Sequence, residues 1–157
     1  MLSKILPIYQ SKVGIELNSG HKCSYQHSRD KILLNLKVLR FNETHFKQDL
    51  EKWLGFKFDS FKNFIVFCLL HELGHRQRFL YKKFDGFYYQ LQLANLKTKY
   101  TPGTYSWRKN YWEKIDEENF AMNYAKKYFK KYIALGREAR IDPDNRQEVT
   151  RPEVVEC

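Results

Sequence analysis

Every position from Phe64 to Leu70 is apolar, and this run lies inside a longer stretch of helical spacing. Phe64, Cys68, His71 and His75 follow one another at intervals of 4, 3 and 4. That spacing puts them on one stripe of an α-helix. Ser60, beside Asp59, is a natural N-cap, so the pattern predicts a helix over 60–80. Because it is apolar almost all round from Phe64 to Leu70, the helix is expected to be buried. A second long helix is predicted over 111–135, ending near Gly136. Ala121, Tyr124, Ala125, Tyr128 and Tyr132 form its apolar face, and Lys126, Lys127, Lys130 and Lys131 form its wet one. The small Ala121 and Ala125 would let it pack closely on the first helix. In 43–54, Phe46, Leu50, Trp53 and Leu54 line one side of a further helix that Gly55 would stop. FYYQLQLANLK, within 84–99, also fits a helix, and Tyr100 to Ser106, with Pro102-Gly103, reads as a loop. KVGIEL (12–17) and KILLNLKVLR (31–40) read as strands on either side of the polar Asn18-Ser19-Gly20, with a short third strand around Lys22 to His27. The expected fold class is α+β: a small antiparallel sheet packed on a layer of helices.

The chain has 157 residues, enough for one domain with a real core, and 43% hydrophobic content excludes disorder by composition. The expected domain is 1–135. From Gly136 onward aromatics vanish and Pro143 and Pro152 appear, so 136–157 reads as a flexible tail. Cys23, Cys68 and Cys157 make an odd count without paired spacing, which does not fit a disulfide framework. MLSKILPIYQSK lacks an apolar run long enough for a signal peptide. No run approaches the ~20 residues that span a bilayer. A cytoplasmic protein is expected. The net charge of +10 permits an acidic or nucleic-acid partner, but the clearest lysine cluster is simply the solvated side of an amphipathic helix. Arg76, Arg78, Lys82 and Lys83 follow the His75 region and would favour acidic substrate side chains if they flank a cleft.

The chemistry lies in His71-Glu72-Leu73-Gly74-His75. Two histidines four apart on a helix stack on one face and can share a zinc ion. Glu72 points about 100° away, misses the metal and reaches a water bound to it. The chemistry predicted is hydrolysis, of a peptide bond in the first instance. Zinc needs a third protein ligand. His21, His27 and His45 all precede the motif and no histidine follows it, so a downstream carboxylate is the natural choice. Glu117 and Glu118 both flank the inward face of the second long helix, whereas Asp116 points away. Geometry leaves Glu117 and Glu118 open, and an acidic first turn favoured by the helix dipole explains both equally well. Cys68 is expected to be a small core residue rather than a ligand.

H-E-L-G-H followed by Glu118-Asn119-Phe120-Ala121-Met122-Asn123-Tyr124-Ala125 resembles the gluzincin metallopeptidases, and is most similar to the small ImmA/IrrE-like group. The resemblance covers about residues 30 to 130 and implies a zincin-like (minigluzincin) fold. It implies Zn²⁺ held by His71, His75 and Glu118, with Glu72 as the catalytic glutamate. KILLNLK (31–37) is similar to the strand that precedes the zinc helix in that family. Met122 stands where the family commonly carries an Asn or Asp that orients a histidine ligand. The stretch between His75 and Glu118 is long for the group and suggests an inserted loop. The resemblance further implies a cytosolic, selective peptidase acting on a repressor or another regulator.

On this reading Glu72 serves as proton carrier, and Tyr88, Tyr89, Tyr100 and Tyr105 are available to steady the oxyanion. The strand 31–40 is the candidate edge for an extended substrate. Two other classes compete. One is a catalytically silent scaffold that binds a protein or nucleic-acid partner through its basic surface. The other is a purely structural metal whose fourth ligand is His27, His45 or Cys68.

Overall fold

The structure, a computed structural model, describes residues 13–17, 23–42, 46–81 and 84–141. It is α+β and mostly helical. Strands β1 (Gly14–Leu17), β2 (Ser24–Gln26) and β3 (Lys31–Leu34) form a sheet in the order β1-β3-β2. β2 and β3 are an antiparallel hairpin, with Tyr25 opposite Ile32, but β1 runs parallel to β3, with Ile15 opposite Ile32. The sheet is therefore mixed, not antiparallel as expected. Alternation of side chains reveals a strand and its inward face, and is the same for either direction of a neighbour.

The stretch 31–40 is not one strand. β3 stops at Leu34, and α1 (Leu36–Asn42) follows. Asn35 makes the change: its side-chain oxygen accepts the Lys37 amide at 3.0 Å and its carbonyl accepts the Leu39 amide. This is an N-cap in the middle of a β-like run. β3 is also the central strand, so it offers no free edge to a substrate. The edge strand that packs on the long buried helix is β2.

Helices α2 (Phe46–Leu54) and α3 (Phe61–Tyr81) fall where the spacing put them, and Ser60 caps α3 by accepting the Asn63 amide at 3.2 Å. α4 (Gly86–Lys99) confirms the helical reading of FYYQLQLANLK. The long helix over 111–135 is two helices, α5 (Tyr105–Lys114) and α6 (Asp116–Ile141), separated by an extended Ile115. Tyr105 and Ser106, read as loop, open α5, which Thr104 caps. Asp116, Glu117 and Glu118 form the first turn of α6. Three consecutive acids are favoured at the positive end of a helix dipole over its middle. Gly136 does not end α6, which runs on to Ile141. Residues 1–12 and 142–157, most of the expected tail, lie outside the described residues.

The core is the antiparallel packing of α3 on α6. Phe58, Phe64, Phe67 and Phe129 stack edge to face at one end, with ring centroids of the Phe58 pairs 5.4–5.5 Å apart. At the other end the backbones almost touch. A Cβ built on Gly74 would lie 2.7 Å from the Cα of Ala121 and 3.1 Å from the Cβ of Tyr124. Glycine at 74 and alanine at 121 are what this approach requires.

Two glycine substitutions should move stability in opposite directions. Gly74→Ala gains helix propensity of about 1 kcal/mol but drives a methyl into backbone, an overpacking cost of about 1–3 kcal/mol. A lowered Tm is expected. At Gly136 an added Cβ meets nothing within 4 Å. Gly136→Ala should therefore raise Tm, by the equivalent of about 0.5–1 kcal/mol. Thermal unfolding of the two variants checks both signs.

Candidate metal centre

α3 carries His71, Glu72 and His75 past the start of α6, which carries Glu118. His71 Nε2 and His75 Nε2 lie 3.1 Å apart, and Glu118 Oε2 lies 3.3 Å from the first and 3.6 Å from the second. A tetrahedral cation with bonds of about 2.0–2.1 Å holds its ligand atoms about 3.3–3.4 Å apart. The three separations bracket that value. Two imidazole nitrogens and a buried carboxylate oxygen are also a donor set suited to a divalent cation. The residues present therefore fit one metal ion.

Glu118 and Glu117 are now told apart. Glu118 is buried at the centre. Glu117 turns aside to Arg78, whose Nε donates to its Oε1 at 2.6 Å. The other oxygen of Glu118, Oε1, accepts the Tyr111 hydroxyl at 2.8 Å, and the Tyr89 hydroxyl lies 2.7 Å from that of Tyr111. Tyr111 escaped the sequence reading. In one continuous helix, residues seven apart are separated by about 10 Å along the axis. The break at Ile115 lets Tyr111 reach Glu118. A signal for that break was present in the acid run Asp116-Glu117-Glu118, which marks the first turn of a new helix.

Glu72 does not belong to the three-ligand group. It is buried in the wall of the same cleft, and its Oε2 accepts the backbone amide of Tyr25 in β2 at 2.8 Å. The cleft has a volume of about 900 Å³ and is lined mainly by apolar and aromatic side chains, among them Phe46, Phe67, Phe79, Phe84 and Trp112. Among Tyr88, Tyr89, Tyr100 and Tyr105, Tyr89 alone lines it. Tyr88 and Tyr100 line a separate, smaller hollow, and Tyr105 packs under Lys52.

Arg76 does not face the cleft as a free cation. Its guanidinium grips Asp30 through two hydrogen bonds of 2.6 and 2.9 Å, and the Tyr25 hydroxyl also donates to Asp30. The β2–β3 hairpin is thereby bolted to α3. Asp30 sits at φ +46°, a left-handed conformation that aspartate tolerates better than most residues. Lys82 and Lys83 lie outside the described residues, as do His21, His45 and Cys157. His27 stacks on Phe79 and stays apart from the three ligands, and so does Cys68, a free thiol in the cleft wall that burial pushes up. Among the described residues no fourth protein ligand joins the group.

The electrostatics suit this arrangement. Burial pushes the Glu118 carboxyl up, but hydrogen bonds from His71 and His75 outweigh it and hold the group far below the usual carboxylate range. Burial pushes the His75 imidazole down, and Glu118, aided by Glu72 and Glu117, reverses that, leaving it above its ordinary 6.5. His71 Nδ1 is buried with no hydrogen-bond partner among the described residues. Met122, in the same cleft, supplies no strong acceptor.

None of the protein-family models, curated proteins or solved structures compared with this chain matches it. Among the described residues no helix is long and apolar enough to cross a membrane.

Two predictions test the centre. Glu118→Ala should abolish stoichiometric metal content and Glu117→Ala should leave it near wild type, as read by elemental analysis of purified protein. Metal uptake must also displace a proton from His75. Affinity should therefore rise as pH increases through the elevated His75 value. The stability that His75 gives the metal-free protein has the opposite trend. It is full below 6.5 and is lost as pH rises through the folded-state value. Titration calorimetry and thermal melts across that range read the two slopes.

Proposed function

We propose that this chain is a zinc-dependent metallopeptidase of the gluzincin type, similar to the ImmA/IrrE-like group. The observation that carries the reading is the convergence of His71, His75 and Glu118 within 3.1–3.6 Å on a cleft that also holds Glu72. Zinc held by those three residues would lower the pKa of a bound water to about 7 and polarise a carbonyl. Every other part belongs to the chain itself. Glu72 accepts the proton of the attacking water and delivers it to the leaving amine. The Tyr25 amide fixes Oε2 of Glu72, which keeps the carboxylate at the cleft. A hydrogen bond to a charged acceptor is worth about 1.5–3 kcal/mol, enough to hold one rotamer.

The substrate is a protein or peptide, and a repressor or another regulator is the class the resemblance implies. An extended segment would lie along the outer edge of β2. The Tyr25 amide points from that edge to Glu72, so the edge and the proton carrier share one wall. Apolar side chains of the segment would fill the aromatic cleft. A cytoplasmic setting accompanies this reading.

The test is Glu72→Gln. The variant should retain its zinc and lose about 10²–10⁴-fold in peptide hydrolysis, followed by mass spectrometry on a mixed peptide library. Equal turnover by variant and wild type would overturn the assignment of Glu72. A wild-type protein that holds zinc and cleaves nothing would favour the silent binding scaffold.

A further inference from the structure

A carboxylate can offer a metal ion one oxygen or two. In this site the two oxygens of Glu118 have separate partners. Oε2 faces both histidine nitrogens, whereas Oε1 accepts the Tyr111 hydroxyl at 2.8 Å. An ionised carboxylate only accepts, so Tyr111 spends its one proton on Glu118. The Tyr89 hydroxyl, 2.7 Å from that of Tyr111 and 3.4 Å from Oε1, must then donate. The result is a directed chain from Tyr89 through Tyr111 to Oε1. Burial and the nearby Glu118 charge push both phenols above their ordinary range, so both remain donors at neutral pH.

Tyr111 is itself held from behind. Its neighbour Trp112 packs edge to face on Phe46, with centroids 5.6 Å apart. Trp53 donates to Glu113 at 2.9 Å, and Arg108 pairs with Asp49. α5 is thus fixed on α2, and the Tyr111 hydroxyl has little freedom to leave Glu118.

We propose that Tyr111 is a positioning residue that reserves Oε1 of Glu118, so that the carboxylate presents a single oxygen beside the two histidines, and that Tyr89 completes this hold from α4. The inference rests on the metal reading of His71, His75 and Glu118. Its consequence is an open coordination position. Three protein atoms leave room for a water or a substrate oxygen, and a second carboxylate oxygen would take up part of that room.

The experiment uses cobalt(II) as the probe, because its visible absorption weakens as its coordination number rises. The full chain is loaded with cobalt(II) as wild type, Tyr111→Phe and Tyr89→Phe, with circular dichroism to follow folding. Wild type should show the intense spectrum of a four-coordinate ion. Tyr111→Phe should show a weakened one and bind about 10–100-fold less tightly. Tyr89→Phe should shift both readings the same way by a smaller factor. A merely structural role for Tyr111 would lower stability without changing the spectrum. A folded Tyr111→Phe protein with wild-type spectrum and affinity would overturn the proposal. So would an unfolded Tyr111→Phe protein combined with an unchanged Tyr89→Phe. Wild type that takes up no cobalt would instead remove the metal reading beneath it.

Discussion

The close crossing of α3 and α6 at Gly74 and Ala121 governs this molecule. A cation site tolerates errors of a few tenths of an ångström in its ligand spacing, and the three side chains that could hold one here come from two helices. Their relative position is set by backbone contact, with no flexible side chain between them to absorb a change. The aromatic stack of Phe58, Phe64, Phe67 and Phe129 fixes the other end of the same pair. A helix pair pinned at two points cannot rock, and packed interiors transmit rather than absorb displacement. The same contact that makes the core dense therefore determines where Glu118 meets His71 and His75.

Around that crossing the acids are sorted by partner. Glu118 has two histidines and a tyrosine, Glu117 has Arg78, Glu72 has a backbone amide, and Asp30 has Arg76 and Tyr25. Buried charges without such partners are costly. The sorting also separates neighbours, since Glu118 faces the two histidines while Glu117 turns to Arg78. The hold of Arg76 on Asp30 and of Glu72 on Tyr25 attaches the β2–β3 hairpin to α3 at two places, so the sheet edge and the histidine helix form one unit.

What could be read from the chain and what could not divides along physical lines. The α3 stripe was legible because helical spacing, cap and histidine pair all agreed. Ala121 and Ala125 announced close packing, but its partner Gly74 gained meaning only as a contact. Glu117 and Glu118 are adjacent in sequence and differ in the structure by what Arg78 does, and a long-range pairing leaves no local trace. Tyr111 was invisible for a related reason, since its role depends on the helix break at Ile115. The strand pattern of 31–40 hid a helix because Asn35 acts through a hydrogen bond that apolar alternation does not register. The parallel pairing of β1 with β3 is likewise a property of two segments together. Local chemistry was readable, and the placement of one segment against another was not.

The candidate ligands are unevenly placed along the chain. His71 and His75 share one helix, and Glu118 follows roughly forty residues later, after α4 and α5. An ion joining them would close that loop as a covalent staple does. For a loop of that size, the chain-entropy relation applied to disulfides gives about 4 kcal/mol of restraint on the unfolded ensemble. α4 and α5 fall wholly within the closed segment, and α4 buries little of its own surface. Occupancy of the centre would therefore raise the stability of the folded chain, and with it the chain's lifetime against proteolysis.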